Sequence, residues 1–108
     1  MTSARQDKMR QLLREIVAEF FSRESSGKSL ITITDVTISP DFKRATVYLT
    51  TIPSSEEEHA LQFAKRKRTD LREFIATKAR LRTLPVLEVK IDEGERNRQR
   101  IDSLLNQG

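Results

Sequence analysis

A single apolar stripe near the start of the chain constrains its fold more than any other feature. The stripe follows the three- and four-residue spacing of one helix face, and it comprises Met9, Leu12, Leu13, Ile16, Val17, Phe20 and Phe21. This spacing predicts a helix from about residue 4 to about residue 24, capped by Ser3 with Gln6 and stopped at residues 25–27. Such a broad stripe needs a broad apolar partner, which a β-sheet would supply.

The segment that follows predicts this sheet. Residues 30–38 are rich in Ile, Val and Thr, and residues 45–52 alternate apolar with polar side chains. Ser39, Pro40 and Asp41 lie between them and are typical of a turn, so we predict an antiparallel hairpin. The apolar phase of the first strand changes near Thr34 and Asp35, which predicts a β-bulge at that point.

Residues from about 55 to about 80 have a helical pattern with an interruption. Ser54 and Ser55, each three residues before a glutamate, predict its start. An unbroken helix of this length would be ~39 Å long, whereas a domain of this size has a radius of gyration near ~13 Å. Arg68 interrupts the apolar stripe and Thr69 could cap a second half, so we predict two helices that meet at residues 67–69.

The last part of the chain predicts a short strand at residues 86–91 and a final helix capped by Asp92. The complete order is then α-β-β-α-α-β-α. Runs of strands and helices in this order are typical of an α+β fold, here a three-stranded sheet covered by helices.

Composition excludes several functional classes. At 108 residues the chain is most simply one domain, residues 1–108, with one core. It has no cysteine, which excludes disulfides, thiol catalysis and zinc ribbons. No apolar run approaches the roughly 18 residues of a membrane span, so we expect a soluble cytoplasmic protein. His59 is the only histidine and no nucleophile motif or phosphate-binding glycine loop is present, so we expect neither enzymatic activity nor a cofactor or metal.

Positive charge is concentrated in the middle of the chain. Residues 62–82 carry eight cations and two anions, a net charge of +6, whereas the whole chain carries +4. The cations are Lys65, Arg66, Lys67, Arg68, Arg72, Lys78, Arg80 and Arg82. Such a concentration predicts a surface for a polyanion, and nucleic acid is the usual one. Lys43 and Arg44, just after the hairpin turn, are further candidates for RNA contact.

Two features limit how RNA would be bound. Four consecutive cations span about 300° around a helix, so residues 65–68 cannot all share one face. Most aromatic residues lie on apolar stripes, which leaves Phe42 and Tyr48 as the only plausible residues for stacking on bases. We therefore expect recognition of RNA shape and phosphates rather than base stacking on a sheet.

Four stretches carry a resemblance to a known family: residues 33–41 (ITDVTISPD), 45–49 (ATVYL), 80–85 (RLRTLP) and 94–105, which ends in RIDSLL. Together they resemble the ribosome-binding factor A family over nearly the entire chain. The resemblance implies a type II KH-like fold without a GXXG loop. It also implies a non-catalytic factor that binds the immature small ribosomal subunit through its rRNA and assists late maturation. We expect this factor to be a monomer.

One position departs from the family pattern. The resemblance implies an Ala-x-Gly kink between the two central helices, and ungapped counting places Lys67, Arg68 and Thr69 there. Two other interpretations of the basic segment remain open. The chain could be an adaptor whose basic face binds an acidic protein, or it could bind DNA without sequence preference.

Overall fold

The computed structural model describes residues 4–24, 30–81 and 83–105, the side chains at 96, 99, 100, 102 and 103 excepted. Its elements are α1 (Ala4–Arg23), β1 (Leu30–Ile38), β2 (Arg44–Ile52), α2 (Glu57–Arg66), α3 (Arg68–Ala79), β3 (Val86–Ile91) and α4 (Glu93–Leu105). This order confirms the predicted α-β-β-α-α-β-α fold. Among the described residues, no helix has both the length and the apolar character that crossing a bilayer requires.

The sheet has the strand order β1-β2-β3, with β1 antiparallel and β3 parallel to the central β2. Ile33 pairs with Leu49, but the next pair is Asp35 with Tyr48, so Thr34 is an extra residue in β1. This register shift confirms the predicted bulge. Because an inserted residue reverses the side-chain phase, both Ile33 and Val36 are buried in the core.

The core lies between the sheet and the helices. The α1 stripe buries Leu13, Ile16, Val17, Phe20 and Phe21, while Met9 and Leu12 lie at its margin. These side chains pack with Val47 and Leu49 of β2 and with Leu71 of α3. Full burial of one such aliphatic side chain is worth about 1.5–3 kcal/mol, so the predicted stripe is the main attachment of α1.

Three predicted helix caps are wrong. Ser54 and Ser55 lie in a 3₁₀ turn that precedes α2, and neither the turn nor α2 has a side-chain cap. The turn is closed instead by a backbone bond from the N–H of Glu56 to the carbonyl of Pro53 (3.1 Å). Thr69 lies inside α3, because only Lys67 separates the two helices. The predicted caps at Ser3 and at residues 25–27 involve residues outside the described ranges.

The predicted cap of α4 is confirmed. Oδ1 of Asp92 accepts a hydrogen bond from the backbone N–H of Glu95 (3.0 Å). The helix carries Ile101, Leu104 and Leu105 as exposed apolar residues. Its start is therefore fixed to the sheet by Asp92, whereas its last turns contribute no side chain to the described core.

Candidate nucleic-acid interface

The bend between α2 and α3 contains neither glycine nor proline. Lys67, the single residue between the helices, has φ −87° and ψ 4°. Residues other than glycine can adopt this conformation, so the bend does not need the Ala-x-Gly sequence that the family resemblance implies. Backbone hydrogen bonds join Lys67 to each helix, from Lys67 N–H to Phe63 O (3.0 Å) and from Leu71 N–H to Lys67 O (2.8 Å), but Lys67 itself belongs to neither helix. The predicted break between two helices is confirmed.

A groove of about 800 Å³ lies beside this bend. Leu61, Lys65 and Arg68 form its helical wall, and residues 88–94 of β3 and the start of α4 form the other. Tyr48 also lines it. The bend therefore brings two of the predicted cations, one from each helix, to a single concave surface.

Arg72 extends this surface along α3. It lies four residues after Arg68, and residues four apart share one face of a helix. We call Lys65, Arg68 and Arg72 the basic row. All three are exposed, and none has a carboxylate oxygen within 4.0 Å in the part of the chain that the structure describes. The positive charge of the basic row is therefore available to an external anion.

Two other predicted cations face α1 instead. Lys67 Nζ lies 3.6 Å from Glu24 Oε2 and 3.8 Å from Asp70 Oδ2. Lys78 Nζ lies 3.8 Å from Glu19 Oε1 and 5.5 Å from the centre of the Phe74 ring. The structure thus separates Lys67 and Lys78 from the basic row and places carboxylates beside them.

The remaining cations of the segment are dispersed. Arg66 is exposed, but neighbouring positions on a helix point about 100° apart, so it does not continue the face of Lys65. Arg80 lies just after α3 and has left-handed backbone angles (φ 53°, ψ 40°). Arg82 lies outside the described residues.

Lys43 and Arg44 are exposed at the hairpin tip. Oδ1 of Asp41 organises this tip by accepting hydrogen bonds from the Ser39 hydroxyl (2.6 Å) and the Lys43 N–H (3.0 Å). These bonds, the hydroxyl first, lower the pKa of Asp41. The Val86 N–H donates to the Lys43 carbonyl (2.8 Å), so the tip lies beside the start of β3.

The two candidate stacking residues differ in availability. Phe42 has a positive φ of 60°, and the guanidinium of Arg5 lies 5.3 Å from the centre of its ring. Phe42 is therefore packed against α1 at the hairpin tip. Tyr48 is half-buried in the groove that Lys65 and Arg68 line.

Sequence reasoning missed the contribution of β3 to this groove. Lys90 lines it, and its Nζ lies 4.0 Å from Oε1 of Glu88, which also lines it. Asp92 and Glu93 add two further carboxylates. The alternation of β3 does place Glu88 and Lys90 on its polar phase, but only the tertiary fold shows that they line the same groove as Lys65 and Arg68.

Comparisons with known proteins identify relatives of the chain. A family model described as Ribosome-binding factor A matches residues 5–105. Ribosome-binding factor A of Methylobacterium sp. (strain 4-46) is 33% identical over 108 residues, an alignment that covers 95% of this chain and 78% of that protein.

Two structures of relatives share the fold. The crystal structure of ribosome-binding factor A from Thermus thermophilus has a TM-score of 0.73 at 28% identity, covering 80% of this chain and 93% of that one. A homology model of the Thermus thermophilus ribosome binding factor A, fitted into a cryo-EM map of its complex with the 30S subunit, has a TM-score of 0.66 at 26% identity. That match covers 83% of this chain and 93% of that one.

Proposed function

The chain belongs to the ribosome-binding factor A family, and on this premise we propose that it is a non-catalytic factor that binds the small ribosomal subunit and assists its late maturation. It acts in the cytoplasm as a monomer and contacts the subunit through rRNA. The fitted 30S complex of the Thermus thermophilus relative supports the partner. Family membership does not favour the adaptor and DNA-binding alternatives.

The observation that carries the rRNA contact is the basic row without carboxylate partners. An exposed cation that already pairs with a carboxylate must lose that pair before it can bind phosphate. Lys65, Arg68 and Arg72 have no such pair among the described residues. The arginines can form two parallel hydrogen bonds to a phosphate, and the lysine acts as a mobile point charge.

The groove beside the basic row suits an irregular RNA surface. Its wall of β3 and α4 carries carboxylates, so a phosphate backbone would lie along the helical wall and avoid the acidic one. This arrangement would restrict where the phosphate backbone lies in the groove. Lys43, Arg44, Arg66, Arg80 and Arg82 remain predicted contacts at the periphery.

Co-sedimentation with small subunits tests the proposal. The variant Lys65→Glu/Arg68→Glu should lose co-sedimentation, because it reverses charge beside the bound phosphates while its exposed positions leave the core intact. The matched control is Lys8→Glu/Arg14→Glu, which makes the same charge change on the exposed face of α1. Equal retention of both variants would remove the basic row from the mechanism. Treatment with RNase separates an rRNA contact from an adaptor, since an adaptor would keep its protein partner.

A further inference from the structure

We propose that Lys67 is a positioning residue: it ties the bend between α2 and α3 to the end of α1 and does not itself bind phosphate. The inference rests on the proposed function, because it concerns how the basic row is held for RNA. It assigns different roles to three of the four consecutive cations at residues 65–68. Lys65 and Arg68 bind, and Lys67 orients them.

Two carboxylates already lie beside the Lys67 ammonium. Glu24, at the end of α1, and Asp70, in the first turn of α3, both lie within 4 Å of it. The ammonium also lies 5.9 Å from the centre of the Phe63 ring in α2. One side chain, only 33% exposed, thus contacts three helices at the point where two of them meet.

The bend needs such an anchor because it contains no proline or glycine that would fix its angle. Sharp bends in helices usually follow from proline, paired small residues or an interrupted hydrogen-bond ladder. Here the helical ladder is interrupted at Lys67, whose ψ of 4° departs from the helical value by roughly 45°. A straighter connection is therefore a small rotation away. Among the described residues, Lys67–Glu24 is the ion pair that joins the bend to α1.

The angle at this bend matters for the basic row. Lys65 lies before it in α2, and Arg68 and Arg72 lie after it in α3. A change in angle therefore moves the α2 cation relative to the α3 cations, and the spacing of bound phosphates with it. A second ion pair, between Lys78 near the end of α3 and Glu19, also joins α3 to α1.

The variant Glu24→Gln distinguishes a positioning role of Lys67 from a phosphate-binding role, because the two roles predict opposite changes in the affinity for small subunits. If Lys67 positions the bend, removing its partner should lower the affinity for small subunits by about twofold to fivefold, the range expected for a half-exposed ion pair. If Lys67 instead binds phosphate, removing a competing carboxylate should raise the affinity. A raised or unchanged affinity overturns the inference.

The salt dependence of binding gives a second readout. Lys67→Met keeps an unbranched apolar side chain at this position and removes the charge. Its affinity should fall, but the slope of log affinity against log salt should stay at the wild-type value. In the matched variant Arg68→Gln the slope should lose about 0.7–0.9, the share of one phosphate. An equal loss of slope in Lys67→Met overturns the inference.

The bend itself can be measured in the free protein. The chain has no cysteine, so Gln62→Cys and Glu73→Cys would carry a single pair of spin labels, one on each side of the bend. The distribution of distances between the labels should widen in Glu24→Gln and Lys67→Met and stay narrow in Arg68→Gln. A distribution that is the same in the wild type and in all these variants overturns the inference. An unchanged salt slope in Arg68→Gln would instead overturn the proposed function. In that case the distances between the spin labels would still test the role of Lys67.

Discussion

The hydroxyl of Thr34 donates a 2.5 Å hydrogen bond to Oδ2 of Asp92, which lies 58 residues later in the chain. Thr34 is the extra residue of the β1 bulge, and Asp92 is the residue that caps α4. The backbone N–H of Asp92 also donates to the carbonyl of Leu49 in β2 (2.8 Å). Asp92 thus joins β1, β2 and the start of α4, and it lines the groove beside the basic row.

Replacing Asp92 should therefore destabilise the fold. Asp92→Ala removes the cap and the acceptor of Thr34, and we expect a loss of about 1–2 kcal/mol in the free energy of unfolding. Thr34→Val removes the hydroxyl alone and should cost less. Urea denaturation followed by circular dichroism measures both, and an Asp92→Ala protein as stable as the wild type would contradict this role.

Acidic pH should also remove the stabilisation that Asp92 provides. The Thr34 hydroxyl, followed by the Glu95 N–H, lowers the pKa of Asp92 from its ordinary value of 3.8. A carboxyl whose pKa is lower in the folded than in the unfolded state stabilises the fold above the unfolded value, and that stabilisation is lost as the pH falls through the folded pKa. The stability difference between wild type and Asp92→Asn should therefore be constant near neutral pH and shrink below pH 3.8. A difference that grows in acid would contradict the assignment.

Patterns confined to one element predicted most of the fold. Three patterns each indicated which side of an element faces the core: the α1 stripe, the phase change in β1 and the interruption at Arg68. They are reliable because burial of apolar side chains determines that side. The capping signals at Ser54 and Ser55 were misleading because a 3₁₀ turn closed by a backbone hydrogen bond precedes α2, and the signal at Thr69 was misleading because α3 already begins at Arg68. The side chain of a cap motif competes with other acceptors for the same N–H groups, and the sequence does not show which acceptor will bind them.

The candidate site was less predictable than the fold. Counting charges along the chain found the basic segment, and helical spacing showed that residues 65–68 cannot share a face. It could not show that Glu19 and Glu24, more than 40 residues earlier, lie beside Lys78 and Lys67. The contribution of Lys90 was hidden for the same reason. These contacts join elements that are distant in sequence, and only the packed structure brings them together.

Packing of α3 should depend on Leu71, which is 0% exposed. Leu71→Ala leaves a cavity in the core and should cost about 2–5 kcal/mol in unfolding free energy. Leu104→Ala makes the same chemical change at a residue that is 63% exposed and should change stability by less than about 0.5 kcal/mol. Chemical denaturation of the two variants compares them directly. Similar losses would mean that α4 is packed more closely than the structure shows.

Arg80 offers a stabilising substitution. Its left-handed backbone (φ 53°) is unfavourable for any residue with a Cβ atom, whereas glycine adopts it freely. After allowing for the greater entropy of unfolded glycine, Arg80→Gly should raise the unfolding free energy by about 0.5–1 kcal/mol. Arg80→Ala removes the same charge but keeps the strain, so it is the control. Equal stability of the two variants would contradict the explanation from backbone strain.

The salt dependence of binding to small ribosomal subunits tests the central claim most directly. Affinity is measured across a range of salt concentrations for the wild type, for Lys65→Gln/Arg68→Gln/Arg72→Gln and for the control Lys8→Gln/Arg14→Gln. Loss of three phosphate contacts should reduce the slope of log affinity against log salt by about 2–3 in the triple variant, and the control should keep the wild-type slope. A triple variant that binds with the wild-type slope would contradict the claim that the basic row binds rRNA.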